Sequence, residues 1–195
     1  MERTAKIYRK TTETDILIEM DLDGKGAGKI SSSVPFLDHM LNLFAKHSSI
    51  DLSIKGIGDT EIDDHHLVED LGICLGDAIK DALGDKKKIA RYGSATVPMD
   101  ESLCNLNMDI SGRPYLVYNV NLGRKKIGKF DPALLGEFFK SFSDHSGITL
   151  HINLMYGKNS HHIAEAMFKA FARALREAIT VHEHIEGVLS TKGSL

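Results

Sequence analysis

The residues with the most chemistry in this chain are histidines set beside carboxylates. The stretch "EIDDHHLVED" (61–70) places His65 and His66 among Asp63, Asp64, Glu69 and Asp70, and "NSHHIAEA" (159–166) repeats the HHxxE spacing with His161, His162 and Glu165. On a helix, His65 and Glu69 are four residues apart and point the same way, so both reach one cation. His66 is turned by about 100° and reaches a different one. His161 and Glu165 against His162 repeat that division. Imidazole with carboxylate suits zinc, manganese, iron or nickel. A single HHxxE at a helix start is weak evidence, because carboxylates favour helix N-termini anyway. Two copies at matching positions of a repeat favour metal ligation over solvated histidines, although shared ancestry makes the copies less than independent.

The elements that hold these pairs are written twice, and such repeats organise a fold. "FLDHMLNLFAKHSSIDLSI" (36–54) aligns without a gap on "LLGEFFKSFSDHSGITLHI" (134–152), and "HHLVEDLGICLGDAIKDAL" (65–83) on "HHIAEAMFKAFARALREAI" (161–179), with linkers that differ by two residues. Alternation in "AKIYRK" and "DILIEMDL" reads as two strands, and a third short strand follows a turn region at Gly24, Gly26 and Gly28. Pro35 opens a helix that runs toward His47. "IDLSIKGI" alternates again, and Asp63 or Asp64 caps a second helix ending near Gly84. The second copy predicts strands near 89–98, 102–110 and 114–122, a helix from about 131, a strand near 148–156 and a helix capped by Asn159 or Ser160. The expected fold class is α+β: duplicated β-β-β-α-β-α units with helices on one face of mainly antiparallel sheets. One domain, 1–195, is expected, made of repeats at about 1–88 and 89–195. The less regular segment after about 180 reads as a functional tail.

The bulk numbers exclude several classes. A chain of 195 residues can bury a real core. A net charge of −3 is not the footprint of a nucleic-acid binder. No apolar run is long enough to span a bilayer, and "MERTAKIYRK" lacks the apolar core of a signal peptide. Cys74 and Cys104 make no disulfide framework, and Cys74 falls on the buried face of a helix as an inert thiol. A cytoplasmic protein without nucleic-acid or membrane partners is expected. Eight of the ten histidines fall in two regions, 39–66 and 145–162.

A pseudo-twofold arrangement divides the ligands. One ion takes His65, Glu69 and His162; the other takes His161, Glu165 and His66. A fourth ligand comes from His39, which aligns with Glu137 in the second copy. Four protein ligands on an octahedral ion leave two positions for water or substrate, as catalysis needs. His47 aligns with His145 as a rival pair, read as outer support, substrate contact or helix C-terminal cap. His182 and His184 read as solvated.

The motifs "FLDHML", "DDHHLVEDLG", "VPMDESL", "SGRP", "NSHHIAEAMFKAFARAL" and "STKG", in that order, resemble the imidazoleglycerol-phosphate dehydratase family of histidine biosynthesis across nearly the whole chain. The resemblance implies a hydro-lyase acting on D-erythro-imidazole glycerol phosphate, which loses water across C2 and C3 to give imidazole acetol phosphate. It also implies two Mn2+ ions per site, a 24-subunit homo-oligomer, and sites formed between subunits. The family's ligands map onto His39, His65, His66, Glu69, Glu137, His161, His162 and Glu165. Glu137 stands where the family often has His, and Leu67 where it often has Thr.

Glu13 matches a family substrate-binding glutamate and is the candidate proton-transfer group; by pattern alone it is one acid in a polar turn. Arg91, Arg113, Ser190 and Lys192 match the phosphate contacts, with Thr191 between them, and His47 is kept as a substrate contact. Imidazole has two nitrogens on opposite sides, so two cations would favour its imidazolate form, whose electron density expels the C3 hydroxyl. The rival class is a non-enzymatic oligomeric protein with structural metal at subunit interfaces. It predicts closed coordination and no phosphate cluster, and the Arg91, Arg113 and Lys192 set argues against it. A zinc hydrolase would need an HExxH helix, which is missing.

Overall fold

The computed structural model describes residues 2–123 and 125–195. Its first half runs β1 (Thr4–Lys10), β2 (Thr14–Asp21), β3 (Gly28–Ser31), α1 (Pro35–Ser48), β4 (Asp51–Gly58) and α2 (His65–Leu83). The second half repeats the order with β5 (Tyr92–Met99), β6 (Ser102–Asp109), β7 (Tyr115–Asn119), α3 (Leu134–Ser146), β8 (Thr149–Tyr156) and α4 (Ser160–Ala178). Each half makes one four-stranded sheet, ordered β1-β2-β4-β3 and β5-β6-β8-β7. Only the last pairing of each sheet, β3 with β4 and β7 with β8, is parallel. The duplicated α+β architecture expected from the sequence is therefore the one observed.

Period-two alternation turns one face of each sheet inward. Ile16, Ile18 and Met20 of β2 are buried, as are Cys104, Leu106 and Met108 of β6. Helices α1 and α2 pack on the first sheet, α3 and α4 on the second. The helices also pair across the halves, α1 with α4 and α2 with α3. Among the described residues four helices thus form a middle layer between two sheets, each packing on the sheet of its own half and on a helix of the other. The rings of Phe44 and Phe171 stack at 4.9 Å across the α1–α4 contact. One core serves both halves.

Several boundaries differ from the sequence expectation, for local reasons. Strand β5 starts at Tyr92 rather than near 89, because Arg91 adopts φ 70° and breaks the extended run. Helix α3 starts at Leu134 rather than about 131, because Asp131 closes a turn first: its Oδ1 accepts from Ala133 N at 2.9 Å and its carbonyl from Leu134 N at 3.1 Å. Strand β7 stops at Asn119, short of 122. Asn159 caps α4 by accepting from His161 N at 2.9 Å. At α2 the side chain that accepts is Asp63, from His65 N at 2.8 Å. Among the described residues no helix is long and apolar enough to cross a membrane.

Candidate functional site

The α1–α4 contact brings three ligand-type groups together. His39, one turn into α1, and His161, in the first turn of α4, each place Nε2 3.1 Å from the same oxygen, Glu165 Oε1. The three ligand atoms lie within 4.8 Å of one another. Donors bound at about 2.1 Å to one cation sit roughly 3 Å apart, so this set fits a divalent ion. Burial pushes the Glu165 carboxyl up, but Lys169, His39 and His161 hold it down at about 2. Lys169 Nζ donates to Glu165 Oε2 at 2.6 Å and fixes the carboxylate from behind.

The second histidine of each pair turns elsewhere, as the helix predicts. His66 presents Nδ1 to Asp59 Oδ2 at 3.0 Å, and its Nε2 lies 3.9 Å from Glu13 Oε1. His162 presents Nδ1 to Glu101 Oε2 at 2.7 Å, and its Nε2 lies 3.7 Å from Asp100 Oδ2. The hydrogen bond to Asp59 raises the pKa of His66, and that to Glu101 raises the pKa of His162. Glu101 is held well below the carboxylate range by His162 and by the backbone N–H groups of Asn159 and Lys158. A histidine that donates from Nδ1 keeps the Nε2 lone pair for a cation.

The remaining metal candidates lie on the other helix pair. His65 Nε2 and Glu69 Oε2 are 3.8 Å apart on α2. Glu137 is exposed in the first turn of α3, the repeat counterpart of His39. Within one chain, His66 does not join the His161–Glu165 pair and His162 does not join His65 and Glu69. The partner of His161 and Glu165 is His39, because the helix layer pairs α1 with α4.

The tail builds a second feature. Arg91, Arg113, Ser190, Thr191 and Lys192 line one cleft of about 720 Å³ together with His184. Arg91 donates from Nε to Asp109 Oδ1 at 2.7 Å, from Nη2 to Asp109 Oδ2 at 3.1 Å and from Nη1 to the Leu189 carbonyl at 2.7 Å. Among the described residues two of its five N–H groups remain without a partner. Lys192 N donates to Ser190 Oγ at 3.2 Å within a turn that Gly193 closes at φ 73°. His47 sits apart from this cleft, in the last turn of α1. Burial lowers its pKa, and so do the charges of Lys169 and Arg173.

Comparison with known proteins supplies the deciding observation. The family model for imidazoleglycerol-phosphate dehydratase matches residues 32–175. The chain belongs to this family. It is 62% identical over 194 residues to the imidazoleglycerol-phosphate dehydratase of Syntrophus aciditrophicus (strain SB), covering 99% of this chain and 98% of that one. It is 57% identical to that of Geobacter sulfurreducens over the full length of both. The crystal structure of the Staphylococcus aureus N315 dehydratase has a TM-score of 0.84 and 41% identity, covering 92% of this chain and 99% of that one. The Pyrococcus furiosus structure, in complex with (S)-C348, has a TM-score of 0.84 and 40% identity, covering 97% and 100%.

Three members of the site escaped the sequence reading. Lys169 lies one helical turn after Glu165, so an i,i+4 search would have found it. Glu101 occupies the turn before β6, the counterpart of Glu13 before β2. Asp59 follows β4 directly and meets His66 only through the fold.

Proposed function

We propose that this protein is a hydro-lyase of histidine biosynthesis. It dehydrates D-erythro-imidazole glycerol phosphate to imidazole acetol phosphate with two Mn2+ ions per site. The observation that carries this reading is the convergence of His39, His161 and Glu165 on one point. His39, His161 and Glu165 would hold one ion and His65, Glu69 and Glu137 would serve the other, with Nε2 of His66 and of His162 presented as further donors. When bound, the ions would supply Lewis acidity and a template for the substrate's imidazole.

The chain's own groups do the rest. Glu13, in the turn between β1 and β2, takes the C2 proton as general base and can return it to the departing C3 hydroxyl as water. Loss of both leaves an enol, which becomes the ketone. Arg113, Lys192 and the free N–H groups of Arg91 bind the phosphate, arginine as a planar fork and lysine as a point charge. Ser190, Thr191 and the backbone N–H groups near Gly193 add donors.

The separation of the two features supports an oligomer with shared sites. His161 opens α4, whereas Arg91 N donates to the Ala178 carbonyl at its other end. A helix of 19 residues spans about 27 Å. Five bonds of about 1.5 Å join the substrate's ring to its phosphorus, under roughly 8 Å. On this reading the phosphate cleft and the histidine cluster that serve one substrate would come from different subunits.

The test is metal removal. Chelation should abolish dehydration, and Mn2+ should restore it. Full activity in a sample shown by elemental analysis to be metal-free rejects the proposal.

A further inference from the structure

The two repeats carry a glutamate at the same place but use it differently. Strands β2 and β6 have eight residues each and the same alternation of buried positions. Glu13 immediately precedes the first, and Glu101 the second. Glu101 is fully engaged: it accepts from His162 Nδ1 at 2.7 Å, from Asn159 N at 2.8 Å and from Lys158 N at 3.2 Å. Glu13 accepts no such bond from its counterpart His66, and its side chain is 51% exposed. Its backbone is nevertheless fixed, with Glu13 N and Thr14 N donating to Thr11 Oγ1 at 3.0 and 2.9 Å.

Asp59 accounts for the difference. It is the first residue after β4, and it takes the Nδ1–H of His66 at 3.0 Å with a side chain only 18% exposed. Its backbone N–H donates to the Glu13 carbonyl at 3.1 Å, so it also anchors the Glu13 turn. The corresponding first residue after β8 is Gly157. A Cβ there would lie 2.6 Å from Ser102 Oγ and 2.7 Å from Ile163 Cγ1. The second repeat has no room for an aspartate at that place, so the turn glutamate must orient the histidine instead.

We infer that Asp59 and Glu101 are positioning residues that fix the ring and the Nδ1–H tautomer of His66 and His162, and that Asp59 thereby leaves Glu13 free for proton transfer. The inference rests on the metal reading proposed above. Outer carboxylates of this kind tune a histidine ligand through its far nitrogen, and their loss typically weakens metal affinity about 10–100-fold.

The experiment measures Mn2+ binding to the intact protein by EPR of the free ion and by calorimetry, with far-UV circular dichroism as the check of folding. Asp59→Ala and Glu101→Ala should each weaken Mn2+ binding by about 10–100-fold. Asp59→Asn and Glu101→Gln keep a carbonyl acceptor and should recover most of the loss; they carry the test if an alanine variant does not fold. At saturating Mn2+, Glu101→Ala should regain its kcat. Asp59→Ala should not, because Glu13 is then drawn to the ring. Wild-type affinity in both folded alanine variants overturns the positioning role. Equal recovery of kcat in both overturns the division of labour. A wild-type protein that binds no Mn2+ overturns the metal reading itself.

Discussion

Glu13 stands 3.9 Å from His66 Nε2 with its side chain half exposed, and it is the carboxylate proposed to move the proton. Exchange for the isosteric amide removes its proton chemistry while leaving the metal groups untouched. Glu13→Gln should therefore lower kcat by about 10²–10⁴-fold, with KM and Mn2+ content close to wild type. Steady-state kinetics beside elemental analysis read both, and loss of metal in this variant would make Glu13 a ligand instead. The two thiols give an independent check on the core. Burial pushes Cys74 and Cys104 up to about 12. A raised acid favours its neutral form in the folded state, so the stabilising contribution is complete below the unfolded value of about 8.5 and is lost between there and about 12. Neither thiol should react with a disulfide reagent at pH 8 until the protein unfolds. At this scale the pairing of His65 with Glu69 and of His161 with Glu165 was legible because helical spacing decides which side chains share a face. Asp59 and Glu101 were not, because they meet His66 and His162 through tertiary packing.

The duplication was legible because it is a property of the sequence itself, and the strand alternation fixed which faces turn inward. What the pattern could not say was which helix packs on which. An amphipathic face does not name its partner, so His39 was assigned no place beside His161 until α1 met α4. The α2–α3 contact shows how specific such pairing is. A Cβ at Gly72 would lie 2.6 Å from the Phe138 carbonyl, and one at Gly76 2.8 Å from the Phe142 carbonyl. Only glycine lets the two helices approach so closely. Gly76→Ala should therefore destabilise by about 1–3 kcal/mol through overpacking. That corresponds to a fall in Tm of roughly 2–4 °C per kcal/mol for a chain of this size. Gly136→Ala is the control: its Cβ would meet only the Tyr118 ring, at 3.7 Å, an ordinary contact. There the gain in helix propensity should leave Tm unchanged or slightly higher. Equal losses in the two variants would mean that the close approach of α2 and α3 does not set stability.

For the whole molecule, the length of α4 decides how a site can be built. Its histidine end and its arginine end lie about 27 Å apart along a straight helix, far beyond the reach of a substrate whose ring and phosphate are five bonds apart. A site closed within one chain and a site shared between chains then make opposite predictions for mixed oligomers. His161→Asn damages only the metal end, and Arg113→Ala only the anion cleft; each homo-oligomer should be nearly inactive at limiting substrate. Co-expressed with different tags and purified through both, the two chains form mixed assemblies. If sites are shared, some pair an intact histidine cluster from one subunit with an intact cleft from its neighbour, as symmetric contacts between copies require. Activity should then rise well above the sum of the parents. If each chain carried a whole site, every site in the mixture would hold one lesion, and mixing would restore nothing.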